Sequence, residues 1–92
     1  MEIEYTVHAI QKLYERYIEE SDIAAALENG VVIREYTEAK PYPAKLVLGW
    51  VGSPPIHMVC AQVPQENRIV IITAYEPKQD LWLPGFKERR RP

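Results

Sequence analysis

Two histidines, His8 and His57, are the side chains of this sequence best suited to move a proton near neutral pH. His57 interrupts an otherwise apolar run, Ile56-His57-Met58-Val59-Cys60. If residues 56–63 and 68–75 form a tight hairpin, Thr73 and Tyr75 come into register range of it. Two readings fit: an imidazole hydrogen-bonded inside a sheet, or a catalytic one. His8 recurs with Lys12 and Arg16 at i, i+4 and i+8, which puts the three on one stripe of a helix. That stripe is either a solvated face or a cationic strip with an imidazole at one end. Near the other terminus, Lys87, Arg89, Arg90 and Arg91 follow the aromatic segment Leu81-Trp82-Leu83-Pro84-Gly85-Phe86. Guanidinium groups match phosphate oxygens in pairs, so this end is either a soluble tail or a phosphate-contacting patch. Trp82 is either a packing anchor or a platform for a base.

Other chemistries lack their residues. The single cysteine, Cys60, rules out an intrachain disulfide and gives no zinc-finger spacing. It sits mid-strand and reads as a small buried hydrophobe. The two histidines are far apart, and no third ligand stands at metal-binding spacing. No phosphate-binding glycine loop, dinucleotide fingerprint, nucleophile elbow or His-Glu-x-x-His motif occurs. No cofactor is therefore expected.

The elements that must carry these groups can be read from the pattern. Ninety-two residues with 47% hydrophobic content indicate one folded domain, 1–92, rather than a disordered chain. No signal peptide or membrane-length apolar run is visible, so the default expectation is a cytoplasmic protein with no membrane partner. The net charge of −2 conceals an asymmetry: residues 1–30 carry net −5, residues 78–92 net +3. A polyanion binder usually carries a positive field, so any nucleic-acid contact here must be local.

Thr6 is placed to cap a helix over about 7–17, with Val7, Ile10, Leu13, Tyr14 and Tyr17 as its apolar stripe. Ser21 is placed to cap a second helix over about 22–29, ending at Gly30 in a left-handed cap. Strands follow over about 31–36, 45–51, 56–63 and 68–75, separated by turn signals such as Gly52-Ser53-Pro54-Pro55 and Pro64-Gln65-Glu66-Asn67. Short links make antiparallel neighbours. The expectation is an α+β domain, an N-terminal helical hairpin on a four-stranded antiparallel sheet. Apolar residues do not alternate cleanly in the last two strands, so both sheet faces should be partly covered, by the 78–92 tail or by a partner. The aromatic part of that tail should dock and its last residues fray.

The motif His8-Ala9-x-x-Lys12-Leu13-x-x-Arg16-x-Ile18 resembles the opening His-Ala-x-x-Arg-Met-x-x-Arg-Gly-Ile of the DUF4258 family. Pro43-x-x-Leu46-x-Leu48-Gly49 through Pro55-Ile56-His57-Met58-Val59 is similar to that family's central strands, and Ile71-Ile72-Thr73-Ala74-Tyr75-x-Pro77 to its closing strand. Trp82 and Phe86-Lys87-x-Arg89 resemble its C-terminal signature. The family is similar to small bacterial toxin-like domains of the RelE/ParE and BrnT kind. The resemblance thus implies a RelE-like architecture and an mRNA endonuclease, or an inactive relative of one. It offers His8, Lys12, Arg16, His57, Thr73, Tyr75 and Arg89 as site positions. In three places the chain departs from the pattern. Lys12 stands for arginine, Tyr17 stands for the glycine after Arg16, and Pro54 stands for an arginine before the second histidine.

The expectation is a metal-independent endoribonuclease acting on single-stranded RNA or mRNA. His57, His8 and Tyr75 would be its catalytic groups, with Lys12, Arg16, Thr73 and Arg89 holding substrate. Its partners would be RNA through a local basic patch and a small antitoxin-like protein, with a homodimer also open. The alternative is a non-catalytic protein-interaction module using an exposed strand edge or aromatic surface. A DNA-associated accessory role is a weaker third, because no recognition helix is evident.

Overall fold

Thr6 fixes where the first helix starts. A computed structural model describes residues 2–52 and 54–91. In it the Thr6 hydroxyl accepts a hydrogen bond from the Ala9 backbone N–H at 3.0 Å and donates one to the Ile72 carbonyl at 3.1 Å. One side chain thus caps helix α1, Val7–Glu15, and ties its N-terminus to the sheet. Ser53, in the predicted turn, and Pro92, at the end of the tail, lie outside the described residues.

After α1 come α2, Glu20–Glu28, and the strands β2 (Val31–Tyr36), β3 (Ala44–Trp50), β4 (Pro55–Val63) and β5 (Arg68–Tyr75). A strand not anticipated, β1 (Glu2–Tyr5), precedes them all. The sheet therefore has five strands, in the order β1-β5-β4-β3-β2, rather than four. It is mixed rather than wholly antiparallel, because β1 runs parallel to β5, with Glu2 opposite Arg68 and Tyr5 opposite Ile71. The reason β1 escapes a local reading is physical. It is four residues long with two carboxylates, and its partner lies at the far end of the sequence, so no hairpin signal marks it. Arg68 braces that edge with ion pairs to Glu4 and Glu66.

Both helices cover one face of the sheet. Ala9 and Leu13 of α1, Ile18, and Ile23 and Ala26 of α2 join Val47, Ile56, Met58, Cys60, Ile71 and Ala74 in one buried cluster. Burying each large aliphatic side chain there contributes about 1.5–3 kcal/mol. Cys60 is part of this core, and burial pushes its thiol up to about 11, which keeps it protonated and inert.

The apolar stripe expected to face this core mostly does not. Leu13 is buried, but Val7, Ile10, Tyr14 and Tyr17 are exposed, Tyr14 at 85%. Ala9, a small residue without weight in a hydrophobicity pattern, marks the buried direction instead. It lets the helix axis approach β5 closely, and the larger residues point outward.

Helix α1 also ends earlier than its pattern suggests. Arg16 is its C-cap, Tyr17 takes φ +57°, and the Ile18 and Tyr17 N–H groups bond back to the Leu13 and Tyr14 carbonyls. This reciprocal pair is the Schellman arrangement, in which glycine is favoured at the left-handed position. Tyr17 therefore occupies a conformation that costs a side-chain-bearing residue about 1–2 kcal/mol, and its ring is 94% exposed. Tyr17→Gly is expected to raise stability by about 0.5–1 kcal/mol, after allowing for glycine's freer unfolded chain. Thermal unfolding checks this; an unchanged or lower Tm would mean the ring makes contacts that offset the strain.

Two further details differ from expectation. The cap of α2 is Glu19, not Ser21, and the Asp22 carboxylate accepts from the Glu19 N–H at 3.0 Å. Gly30 is not left-handed. It is small because a Cβ there would come within 2.6 Å of a Val47 methyl. At the same end of α2, the Asn29 side chain bonds both the N–H and the carbonyl of Trp50, at 2.8 Å each, and locks the helix to β3.

The opposite sheet face is covered by the tail. Leu46, Leu48, His57 and Val63 are buried outside the helix-side cluster, and Trp82, 4% exposed, stands edge-on against the His57 ring. Pro84-Gly85 forms a turn closed by the Phe86 N–H on the Leu83 carbonyl at 2.9 Å, with Gly85 at φ +91°. This is the pattern of a type II turn. Trp82 and Arg89 then pair as an antiparallel bridge, and the Arg90 N–H reaches the Leu81 carbonyl at 2.9 Å. The tail is thus pinned through Arg90, where fraying was expected. No helix among the described residues is long and apolar enough to cross a membrane.

Candidate functional site

Strands β4 and β5 place His57 directly opposite Tyr75, and β3 places Leu48 on its other side. His57 is fully buried. Its Nε2 lies 2.8 Å from the Phe86 carbonyl oxygen and its Nδ1 3.2 Å from the Tyr75 hydroxyl. A carbonyl only accepts, so Nε2 carries the proton. In the neutral ring Nδ1 is then the acceptor, and the Tyr75 hydroxyl donates to it. Trp82 stands edge-to-face on the imidazole at 4.3 Å between ring centres, and Tyr75 at 5.3 Å. A three-member chain results: the Phe86 carbonyl, the His57 ring and the Tyr75 hydroxyl. Phe86 itself is held by its left-handed backbone (φ +60°) and by an edge contact with Trp50 at 6.3 Å.

Burial lowers the pKa of His57 below its ordinary 6.5, only partly opposed by the Phe86 carbonyl, so the ring is neutral at pH 7. The sign of the consequence follows. The unfolded chain binds a proton at His57 in a range where the folded chain does not. Folding free energy from this residue is therefore intact above about pH 6.5 and declines as pH falls from there toward the lowered native value. His57→Gln is expected to flatten that part of the stability-versus-pH curve. Denaturant titrations between pH 7.5 and pH 5 check it; an equal slope in both proteins would assign the loss to other groups.

Tyr75 lies at the boundary between this buried chain and solvent. It lines an open groove of about 610 Å³ together with Arg16, Lys78, Leu81, Trp82 and Arg89. Burial raises the Tyr75 hydroxyl above its usual pKa and Tyr36 adds to this, while Arg89, Arg16 and Arg34 pull it down by less. The phenol is thus protonated at rest, and the three arginines offset only part of what its burial and Tyr36 do to hold the proton on. Arg16 is aimed by a hydrogen bond of 2.6 Å from one terminal nitrogen to the Ala74 carbonyl, which leaves its other donors free. Arg89 lies over the Trp82 ring at 5.6 Å, a cation–π contact that limits its swing.

Of the seven site positions named from sequence, Arg16, Tyr75 and Arg89 share this groove, and His57 lies sealed beneath it. The other three are elsewhere. His8 is exposed near the start of α1. Lys12 pairs with Glu15 at 3.4 Å. Thr73, opposite Val59, is half-buried and does not line the groove. The helical stripe fails to act as a unit because only its last member reaches the C-terminal end of β5. Two contributors were missed: the Phe86 carbonyl and Lys78. The Pro84-Gly85 turn was a legible signal for the first, since it predicts where the chain reverses over the sheet.

Among the described residues no three His, Cys, Asp or Glu side chains gather into a cluster that could hold a metal ion. Comparison with curated proteins and with solved structures gave no match. A family model described as a domain of unknown function (DUF4258) matches residues 5–76, ending just before the tail that carries Trp82, Phe86 and Arg89. With most of its length matched, including α1, Arg16, His57 and Tyr75, the chain belongs to the DUF4258 family.

Proposed function

We propose that the protein is a metal-independent endoribonuclease of the RelE-like toxin type, cutting single-stranded RNA in the groove beside Tyr75. The observation that carries this reading is the buried relay, Phe86 carbonyl to His57 to Tyr75, ending in a groove with two guanidinium groups. Strand scission by an internal nucleophile needs a proton acceptor at the ribose 2′-hydroxyl and cations on the phosphate oxygens. In this scheme the 2′-hydroxyl proton passes to the Tyr75 oxygen as the phenol proton moves to His57 Nδ1. The 2′-oxygen forms a bond to phosphorus, the bond from phosphorus to the 5′-oxygen breaks, that oxygen takes a proton from solvent, and His57 then returns its extra proton to solvent through the Tyr75 oxygen. The products are a 2′,3′-cyclic phosphate and a 5′-hydroxyl. Arg16 and Arg89 neutralise the charge gathering on the phosphate oxygens. The Phe86 carbonyl stabilises the imidazolium formed in passing. His57 is a positioning and proton-storing residue that never touches substrate.

The test is incubation of the purified protein with single-stranded RNAs in the presence of a chelator. Fragments ending in a cyclic phosphate are expected; absence of cleavage for every RNA tried removes the proposal.

A second reading, a non-catalytic protein-interaction module, is favoured by one observation. The outer face of α1 exposes Val7, Ile10 and Tyr14, with Tyr17 beyond, and a groove of about 410 Å³ beside the last two is rimmed by Glu15 and Glu19. Its aromatic and acidic character suits a partner protein presenting basic and aliphatic side chains. A stoichiometric copurifying protein released by Tyr14→Asp, with no RNase activity in the freed chain, would favour the module. Release accompanied by activity would make that partner an inhibitor of the enzyme.

A further inference from the structure

Arg89 belongs to two grooves. Besides the one beside Tyr75, it lines a second open groove, of about 640 Å³, with Arg34, Leu83, Glu88, Arg90 and Arg91. Four guanidinium groups meet one carboxylate there, in a chain whose net charge is −2. The concentration is made by folding. Arg34 comes from the edge strand β2, more than fifty residues from the arginines it joins. The tail arginines are also held in place. The Trp82–Arg89 bridge fixes their backbone, and Arg90 Nε donates to the Gln79 carbonyl at 2.8 Å. Like charges so gathered repel one another and destabilise the fold unless a counter-charge is bound. The two grooves share Arg89 in their linings, so one guanidinium borders both.

We propose that this second groove is a binding site for the phosphodiester backbone of single-stranded RNA, continuous through Arg89 with the groove beside Tyr75. The site rests on the endoribonuclease reading for its choice of RNA, and it assigns Arg34, Arg90 and Arg91 a role in holding the strand beyond the cut. A substrate several nucleotides long is then preferred over a dinucleotide. The lining of the second groove, among the described residues, holds no aromatic side chain, so its contacts are to phosphate and carry little base preference.

The experiment measures binding of a fluorescent 2′-O-methyl RNA 12-mer, which cannot be cleaved by this route, across a series of salt concentrations. It compares the wild-type chain with the double variant Arg34→Gln/Arg91→Gln. Both side chains are exposed, so folding is expected to survive, as checked by circular dichroism. The expected result is a loss of affinity of about tenfold and a salt slope smaller by about 1.4, from two phosphate contacts removed at roughly 0.7 each. Equal affinity and equal slope for the two proteins overturn the site, as does equally tight binding of a polyglutamate of similar length. The two proposals separate cleanly. Binding that depends on Arg34 without cleavage of any RNA keeps this site and removes the enzyme; cleavage with no Arg34 dependence does the reverse.

Discussion

Tyr75→Phe is expected to lower RNA cleavage by about 100-fold or more, the lower end of what a positioned proton-transfer group contributes. The substitution removes one oxygen and little else. The ring keeps its edge contact with His57, and the groove keeps Arg16 and Arg89. What is lost is the hydroxyl of the relay member that lines the groove, and with it the donor to His57 Nδ1. The stability change should be about 1 kcal/mol, because Nδ1 is left without its partner. That small figure makes the variant informative where His57→Ala is not. Truncating a fully buried imidazole opens a cavity and strands the Phe86 carbonyl, with an expected loss of about 2–4 kcal/mol and loosening of the tail. The measurement is single-turnover cleavage of one labelled RNA by wild type and Tyr75→Phe, with Tm recorded for both. Normal cleavage by the variant would show that the phenol does not handle the proton.

The largest expected effect on stability comes from Gly49→Ala. A Cβ at position 49 would collide with the Ala26 carbonyl oxygen and lie 2.7 Å from its carbon. Those are backbone atoms of α2 and cannot swing aside as a side-chain tip would. The helix would have to lift from β3, breaking the Asn29 clamp on Trp50. Overpacking of this kind costs about 3 kcal/mol or more, well above the roughly 0.4–1 kcal/mol that alanine gains over glycine in the unfolded chain. For a domain of this size, Tm should fall on the order of 10–20 °C. Adding Ala26→Gly should restore little, since the clashing oxygen and carbon remain. A Tm within a few degrees of wild type would mean that α2 sits farther from β3 than described.

The local sequence carries a good deal of this molecule. Thr6 as a cap, four of the strands, the pairing range of His57 with Tyr75 and the docking of Trp82 all follow from neighbouring residues and short links. In each case the interaction partners lie within a turn, a hairpin or a contiguous tail. The family, too, is legible in the motif that runs from His8 to Ile18.

Features that depend on residues meeting from far along the chain were not legible. β1 pairs with a strand more than sixty residues away. The direction α1 faces is set by how closely Ala9 lets it approach β5, so a periodicity that weights large side chains points to the wrong face. Arg34 is unremarkable in sequence and gains its meaning only beside Arg89. Composition and spacing fix which groups could move a proton or bind a phosphate. Tertiary structure alone decides that His57 is sealed, that Tyr75 stands between it and solvent, and that Arg16 and Arg89 reach one groove while His8 and Lys12 do not. The physical reason is range: a periodic pattern encodes contacts over one or two turns, whereas a site is made by closing loops that no local preference specifies.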